Sequence, residues 1–338
     1  AQLSMRGHAI EARICAENPD ANFLPATGTM HVARWPRHVS FVRSDEMPRI
    51  DRGFDEGDAI SPHYDSMIAK LIVWGENRAQ ALARLDAALA QTHIVGLATN
   101  VAFLRRVVKS HAFATADLDT ALIERERAAL FEHAPLSIEC AAAGVVAREL
   151  ANEQMLQDAD PWSRRDGWRM FGGATRRFDL DIGGARQAVT LHRLHDGALT
   201  LAVGAERWPF AARALGNDRY DVTLGERLWT LAVYAQGERV TVFAPEGTFA
   251  LQEFDAIAHA GEGASTGGSL AAPMPGKVVA LLAKAGEKVV AGQALAVMEA
   301  MKMEHTIAAP RDGTIAELLY GVGDQVAEGA ALLRLQTE

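Results

Sequence analysis

Glu299-Ala300-Met301-Lys302-Met303-Glu304 stands where two copies of one sequence pattern meet. Shifting the last 67 residues by 37 lays Ala272-Pro273-x-x-Gly276-x-Val278 over Ala309-Pro310-x-x-Gly313-x-Ile315. The same shift lays Gly286-Glu287-x-Val289-x-x-Gly292 over Gly323-Asp324-x-Val326-x-x-Gly329. A repeated strand-and-turn unit with glycines in matched places predicts two similar half-sheets packed about a pseudo-twofold axis. Lys302 falls between the halves.

Outward from the lysine, Ala294-Leu295-Ala296-Val297-Met298 and Glu304-His305-Thr306-Ile307-Ala308 read as two strands joined by a very short connection at 300 to 303. A lysine at such a tip holds its ammonium in water, within reach of another enzyme. Most lysines are no more than solvated surface charges. This chain, however, has 6 lysines against 28 arginines, and here two methionines bracket the lysine in a turn that gives them nothing to pack against. The pattern predicts a modified carrier lysine.

Ala272-Pro273-Met274-Pro275-Gly276 followed by Glu299-Ala300-Met301-Lys302-Met303-Glu304 resembles the biotin carboxyl carrier domain, in which the lysine of Ala-Met-Lys-Met is joined by an amide to biotin. The resemblance implies biotin on Lys302, flanked by Ala300, Met301 and Met303, and a biotin protein ligase as a partner. Lipoyl domains share the duplicated fold but carry Asp-Lys-Ala at the tip, which this sequence lacks, so biotin is favoured over lipoate. A reactive group on a long arm is held at high effective concentration for two sites in turn.

At 338 residues the chain is long enough for two or three cores. With 23% charged residues and a net charge of −9 it offers neither a nucleic-acid footprint nor a polybasic membrane patch. No apolar run reaches the roughly 18 residues of a membrane helix. Cys15 and Cys140 stand far apart in apolar settings, which suits buried thiols in a reducing compartment, and the excess of arginine over lysine with abundant alanine points to a bacterial cytoplasm, or alternatively a mitochondrial matrix. No second metal ligand stands at helical or hairpin spacing from His8 or His305, so no metal site is expected. Ala1-Gln2-Leu3-Ser4 lacks an initiator Met, a presequence and a secretory segment, and reads as the start of a piece of something larger.

The chain reads as a multidomain α+β protein divided at 1–130, 131–257, 258–270 and 271–338. In the first part, Ala9 to Ala16 and Ser66 to Trp74 read as strands, and Glu76 to Gln91 and Asn100 to Val108 as helices. In the second, a helix capped by Ser137 runs to Met155, and from Ile138 to Ala147 it carries one charge, Glu139. A helix apolar all round must be surrounded. Seven short β-type runs follow: Ala174 to Ile182, Gln187 to Leu194, Ala198 to Val203, Tyr220 to Leu224, Leu228 to Tyr234, Arg239 to Phe243 and Thr248 to Phe254. An antiparallel barrel curled around the helix satisfies both patterns. Ala258 to Gly268, rich in Gly, Ala, Ser and Thr, reads as a flexible linker, and the remainder as a biotinyl/lipoyl-type β-sandwich.

Arg6-Gly7-His8-Ala9-Ile10-Glu11-Ala12-Arg13-Ile14, Ala16-Glu17-Asn18-Pro19, Phe23-Leu24-Pro25-Ala26-Thr27-Gly28, Ser61-Pro62-His63-Tyr64-Asp65-Ser66-Met67-Ile68-Ala69-Lys70-Leu71 and Gly96-x-x-Thr99-Asn100 together resemble the C-terminal lobe of biotin carboxylase, of the ATP-grasp family. The resemblance implies that Arg13 lies beside the biotin ureido ring and bicarbonate as a catalytic residue. A fixed guanidinium there would stabilise negative charge developing on the ureido oxygen. The ordinary alternative is a salt bridge from Arg13 to Glu11 or Glu17. Asp65 and Lys70 are expected to be structural charges. The ATP-grasp phosphate loop, the Mg-binding glutamates and the base that acts on bicarbonate have no counterpart in these residues. ATP and Mg therefore belong to the full-length parent, and the 338 residues alone are expected not to carboxylate biotin.

This domain order resembles the α subunit of acyl-CoA carboxylases, in which the helix-in-barrel segment binds a carboxyltransferase β subunit that holds the acyl-CoA. The resemblance implies a hetero-oligomeric carbon–carbon ligase in which biotin on Lys302 accepts CO2 and delivers it to the acyl-CoA on the partner. Asp160-Pro161-Trp162-Ser163 and Asp166-Gly167-Trp168-Arg169 look most like the methylcrotonyl-CoA branch of that family, with propionyl-CoA and geranyl-CoA branches as alternatives. A different class of reading is a non-enzymatic carrier and docking module for biotin or lipoate.

Overall fold

The computed structural model describes residues 6–132, 136–163, 167, 169, 172–182, 185–254, 269–272, 275–300, 303–309, 311–327 and 329–335. In its first part the period-2 alternation of a half-buried strand is plain. Strand β1 (His8–Cys15) sends Ala12 and Ile14 into the core and leaves Glu11 and Arg13 exposed. It joins β2 (Arg49–Arg52) and β3 (Met67–Gly75) in an antiparallel sheet of order β1-β3-β2. Helix α1 (Arg78–Ala90) starts where the Asn77 side chain accepts from the Gln80 amide at 2.9 Å, and it buries Leu82, Leu85 and Leu89. Helix α2 (Val101–Lys109) follows and buries Val101, Phe103 and Val108.

The chain divides into two units, residues 1–131 with 263–338, and residues 132–262. The second is built round α3 (Ile138–Met155), where Ser137 Oγ accepts from the Cys140 amide at 3.2 Å and every residue from Cys140 to Ala147 is buried. The wall is a closed antiparallel barrel of β4 (Ala174–Ile182), β5 (Ala185–Arg193), β6 (Leu199–Val203), β7 (Glu206–Gly216), β8 (Arg219–Leu224), β9 (Arg227–Gln236), β10 (Arg239–Ala244) and β11 (Gly247–Glu253). Each strand pairs with its sequence neighbour. The ring closes through Leu180↔Glu253 and Asp181↔Gln252 between β4 and β11.

Where α3 turns polar, its charges meet the barrel. Glu149 pairs with Arg176 at 3.1 Å, Glu153 with Arg176 at 2.5 Å and also with Arg193, and Arg148 with Glu253 at 3.7 Å. Burial would raise the Glu149 pKa, but bonds from Arg148 and Arg176 outweigh it and hold the carboxyl below its usual range. Apolar contact thus fixes the helix's first half and ion pairs its second.

The strand β7 is an element that the sequence pattern did not predict. Its run Glu-Arg-Trp-Pro-Phe-Ala-Ala-Arg-Ala-Leu-Gly contains a proline and three alanines, a composition depleted in strands. Pro209 is tolerated because it lies just beyond the last pair of the β8 ladder, Phe210↔Leu224, and its carbonyl accepts from the Gly225 amide at 2.9 Å.

Residues 258–268, where a linker is expected, lie outside the described residues. Beyond them come β12 (Ser269–Ala271), β13 (Gly276–Leu281), β14 (Lys288–Val289), β15 (Ala294–Ala300), β16 (Met303–Ala308), β17 (Gly313–Leu318), β18 (Gln325–Val326) and β19 (Ala331–Leu335). They form two sheets, ordered β12-β19-β17-β14 and β16-β15-β13-β18, which the 37-residue shift exchanges. The hydrogen bonds obey the same symmetry. Gly286 donates to the Ile315 carbonyl and Gly323 to the Val278 carbonyl, both at 2.8 Å, so each half closes on the other's strand. The matched acidic residues cap matched turns: Lys284 donates to Glu287 Oε2 at 2.9 Å, and Gly321 to Asp324 Oδ2 at 2.7 Å.

Gly144 lies close against the barrel wall. A Cβ there would stand 3.1 Å from Val242 Cγ1, 3.2 Å from Leu231 Cδ1 and 3.3 Å from Val233 Cγ2. Gly144→Val is therefore expected to destabilise the barrel by about 1–3 kcal/mol through overpacking. Hydrogen exchange of the α3 amides should quicken; unchanged protection would show that the wall has room to spare.

Candidate functional site

The exposed face of the β1-β3-β2 sheet is assembled by cross-strand register. Arg13 on β1 lies opposite Lys70 on β3, and Lys70 opposite Asp51 on β2. Asp51 is already engaged: Arg49 Nε donates to its Oδ1 at 3.0 Å and its Oδ2 at 2.8 Å, and the Phe41 amide donates to Oδ1 at 2.7 Å. The Arg49 bond, more than burial opposes it, holds the Asp51 carboxyl below its usual range. Two cationic side chains, Arg13 and Lys70, therefore share a row whose one acid is spoken for. Such a strip suits an anion or an oxygen on which negative charge develops.

Arg13 itself is 71% exposed and sets its Nε 3.5 Å from Glu11 Oε1. An exposed contact of that length contributes little. Its backbone, by contrast, is tightly held. The next turn of chain is fixed by Ala16, whose amide donates to the Ser66 carbonyl at 2.7 Å, and by Ser66 Oγ, which donates to Glu17 Oε1 at 2.5 Å. On the far side Asn100 bonds to the main chain of Arg13 and Cys15. Asn100 appears in the sequence pattern Gly96-x-x-Thr99-Asn100, but its contact with β1 spans 87 positions and has no local signature.

The surroundings of Lys302 are set by the strands on either side. Strands β15 and β16 pair in register up to Ala300↔Met303, so the two residues between them, Met301 and Lys302, make the whole connection; both lie outside the described residues. The expected connection at 300 to 303 is thus two residues shorter, because Ala300 and Met303 belong to the strands. Glu299 and Glu304 also face each other across the ladder. Among the described residues, no group of three or more His, Cys, Asp or Glu is placed to hold a metal ion, and no helix is long and apolar enough to cross a membrane.

Comparison with known proteins fits this geometry. Residues 11–125 match the family model for the biotin carboxylase C-terminal domain, 135–256 that for the BT domain of the methylcrotonyl-CoA carboxylase alpha-subunit, and 268–335 that for biotin-requiring enzymes. The chain belongs to the biotin-dependent carboxylases, and its domain series is that of an acyl-CoA carboxylase α subunit. It is similar to the mitochondrial α subunits of methylcrotonoyl-CoA carboxylase from Dictyostelium discoideum, with 32% identity over 90% of this chain and 45% of the relative, and from Oryza sativa subsp. japonica, with 34% identity over 90% and 46%. The chain therefore spans about half the length of the curated relatives it matches. Among solved structures it is similar to the biotin carboxylase domain of a thermophilic 2-oxoglutarate carboxylase bound to bicarbonate, at 31% identity over 39% of this chain and 28% of that one, with a TM-score of 0.35.

Neither cysteine is poised for nucleophilic work. Burial, then the charge of Glu17, pushes the Cys15 thiol up to about 11, and burial pushes Cys140 up to about 12. A raised thiol pKa keeps the neutral form through the physiological range, with a thiolate fraction of roughly one in a thousand for Cys15 at pH 8. Alkylation of Cys15 by iodoacetamide is expected to rise about tenfold per pH unit from 7 to 9.5 without levelling. A plateau below pH 9 would show an activated thiol.

Proposed function

We propose that this chain forms the carrier, the docking domain and one wall of the carboxylation site in the α subunit of an ATP-dependent acyl-CoA carboxylase, acting on 3-methylcrotonyl-CoA held by a carboxyltransferase β subunit. The domains divide at 1–130 and 131–257, and the last begins at Ser269 rather than at the expected 271, because Ser269 and Leu270 already pair with Arg334 and Leu333. The observation that carries the reading is the hairpin: in a duplicated sandwich, a two-residue connection bears the primary amine of Lys302. A primary amine is the donor that an amide link to a carboxylic prosthetic group requires, and the Ala-Met-Lys-Met frame fits biotin. When bound, biotin supplies a ureido nitrogen that takes up carbon dioxide at one site and yields it at another.

The chain's own residues do the rest. The paired strands β15 and β16 carry the attachment point between their ends, so reach comes from the side chain and its cargo. Arg13 donates to the oxygen on which charge develops, and Lys70 beside it keeps the strip cationic. The methylcrotonyl-CoA preference is supported by the model matched by the barrel and by the named relatives.

Docking is supported by exposed apolar side chains at the end of α3 and in the stretch of chain that follows it. Trp162 is 93%, Met155 76% and Leu156 59% exposed, large apolar side chains that a monomer has no reason to leave in water. Aromatic anchors of this kind often carry most of an interface's energy. Trp162→Asp is expected to weaken copurification with the β subunit at least tenfold while leaving biotinylation unchanged. Undiminished assembly would remove this stretch from the interface.

The decisive experiment is intact mass of the chain coexpressed with a biotin protein ligase and ample biotin. The wild type should gain one biotinyl group, and Lys302→Arg, which keeps the charge without the acceptor amine, should gain none. A modified Lys302→Arg variant, or an unmodified wild type, would overturn the assignment.

A further inference from the structure

Strand β1 lies at the edge of its sheet: among the described residues it pairs with β3 on one side and with no strand on the other. The free edge is occupied by a single residue from the start of α2. The Asn100 amide donates to the Cys15 carbonyl at 3.1 Å, the Cys15 amide donates to Asn100 Oδ1 at 2.9 Å, and Asn100 Nδ2 donates to the Arg13 carbonyl at 3.0 Å. These bonds are of the kind a neighbouring strand would make. They straddle Ile14, where the register between β1 and β3 slips. The ladder that aims Arg13 is interrupted one residue beyond it, between Ile14 and Cys15, and Asn100 makes good the loss from the other side.

Two further observations tie this side chain to β1. Asn100 is only 8% exposed, so both ends of its carboxamide need partners inside the protein. It also occupies the N-cap of α2, where asparagine ordinarily accepts from the helix's own amides, yet it makes no such side-chain bond. A carboxamide alone among side chains of this size offers a donor and an acceptor on one plane. Aspartate would set a carboxylate oxygen against the Arg13 carbonyl; alanine would leave the Cys15 amide without its side-chain acceptor and the Arg13 carbonyl with only the weak Cys15 thiol donor at 3.8 Å.

We propose that Asn100 is a positioning residue for Arg13: by clamping the peptides on either side of Ile14 it fixes the direction in which the Arg13 side chain leaves the sheet. The inference rests on the reading of Arg13 as the arginine that steadies developing negative charge. A side chain as long as arginine magnifies a small tilt at its Cα, and a misplacement near 1 Å can cost up to about a hundredfold in rate.

The test compares Arg13→Ala, Asn100→Ala and the double variant in the full-length carboxylase that contains these residues, measuring kcat and KM for biotin carboxylation. Arg13→Ala is expected to lower kcat by about 10²–10³. Asn100→Ala should lower kcat tenfold or more with KM for ATP unchanged, and the double variant should be no slower than Arg13→Ala. In hydrogen exchange, Asn100→Ala should quicken the Cys15 amide more than tenfold while α1 stays protected. If Arg13→Ala leaves kcat unchanged, the reading of Arg13 fails and the proposal falls with it. If Arg13→Ala is slow but Asn100→Ala runs at the wild-type rate, the positioning role alone is overturned. A double variant much slower than Arg13→Ala would show that Asn100 acts through the stability of the lobe, which also overturns it. Should Asn100→Ala fail to fold, Asn100→Asp, of the same shape, is expected to give the same pattern and is judged by the same outcomes.

Discussion

Backbone amides and carbonyls at the rim of a strand must find partners, and each domain of this chain answers that demand differently. The barrel removes its rim by closing β4 on β11. The carrier sandwich lets each half cap the other, with Gly286 and Gly323 exchanging bonds across the pseudo-twofold. The N-terminal lobe leaves β1 open and fills the opening with a side chain, Asn100. The last solution is the least regular, and it falls beside the arginine on which the proposed chemistry depends.

Burial in the barrel follows from composition. A helix with one charge between Ile138 and Ala147 has no face to offer water, and the strands that enclose it alternate apolar-in and polar-out. Closure is economical: two residue pairs complete the ring, with Glu253 at the joint also drawn to Arg148 on the helix. The contents therefore help to hold the container shut.

Much of this was legible in the sequence because it is periodic or repeated. The 37-residue shift predicted two similar half-sheets about a pseudo-twofold axis, and the helix stretch with a single charge predicted its wall. Strand β7 escaped because strand preference is read from composition, and Ala211, Ala212, Ala214 and Pro209 argue against it; the ladders of β6 and β8 on either side override that preference. Arg13 could be singled out only through a resemblance, since an exposed arginine near Glu11 looks locally like any surface ion pair. Asn100 was visible as a motif letter without a task, because its partners lie 85 and 87 positions away. Contacts of that span leave no local trace.

The symmetry of the sandwich has one more implication. Under the 37-residue shift the β15–β16 hairpin corresponds to the place where β19 ends and β12 begins, and there Ser269 lies beside Arg334. Entry and exit of the domain are thus the topological twin of the turn that bears Lys302. Joining the present ends and cutting at that turn would yield a circular permutant of the same architecture. Lys302 thus stands at the joint between the two matched halves, a connection that neither half uses to pair its own strands.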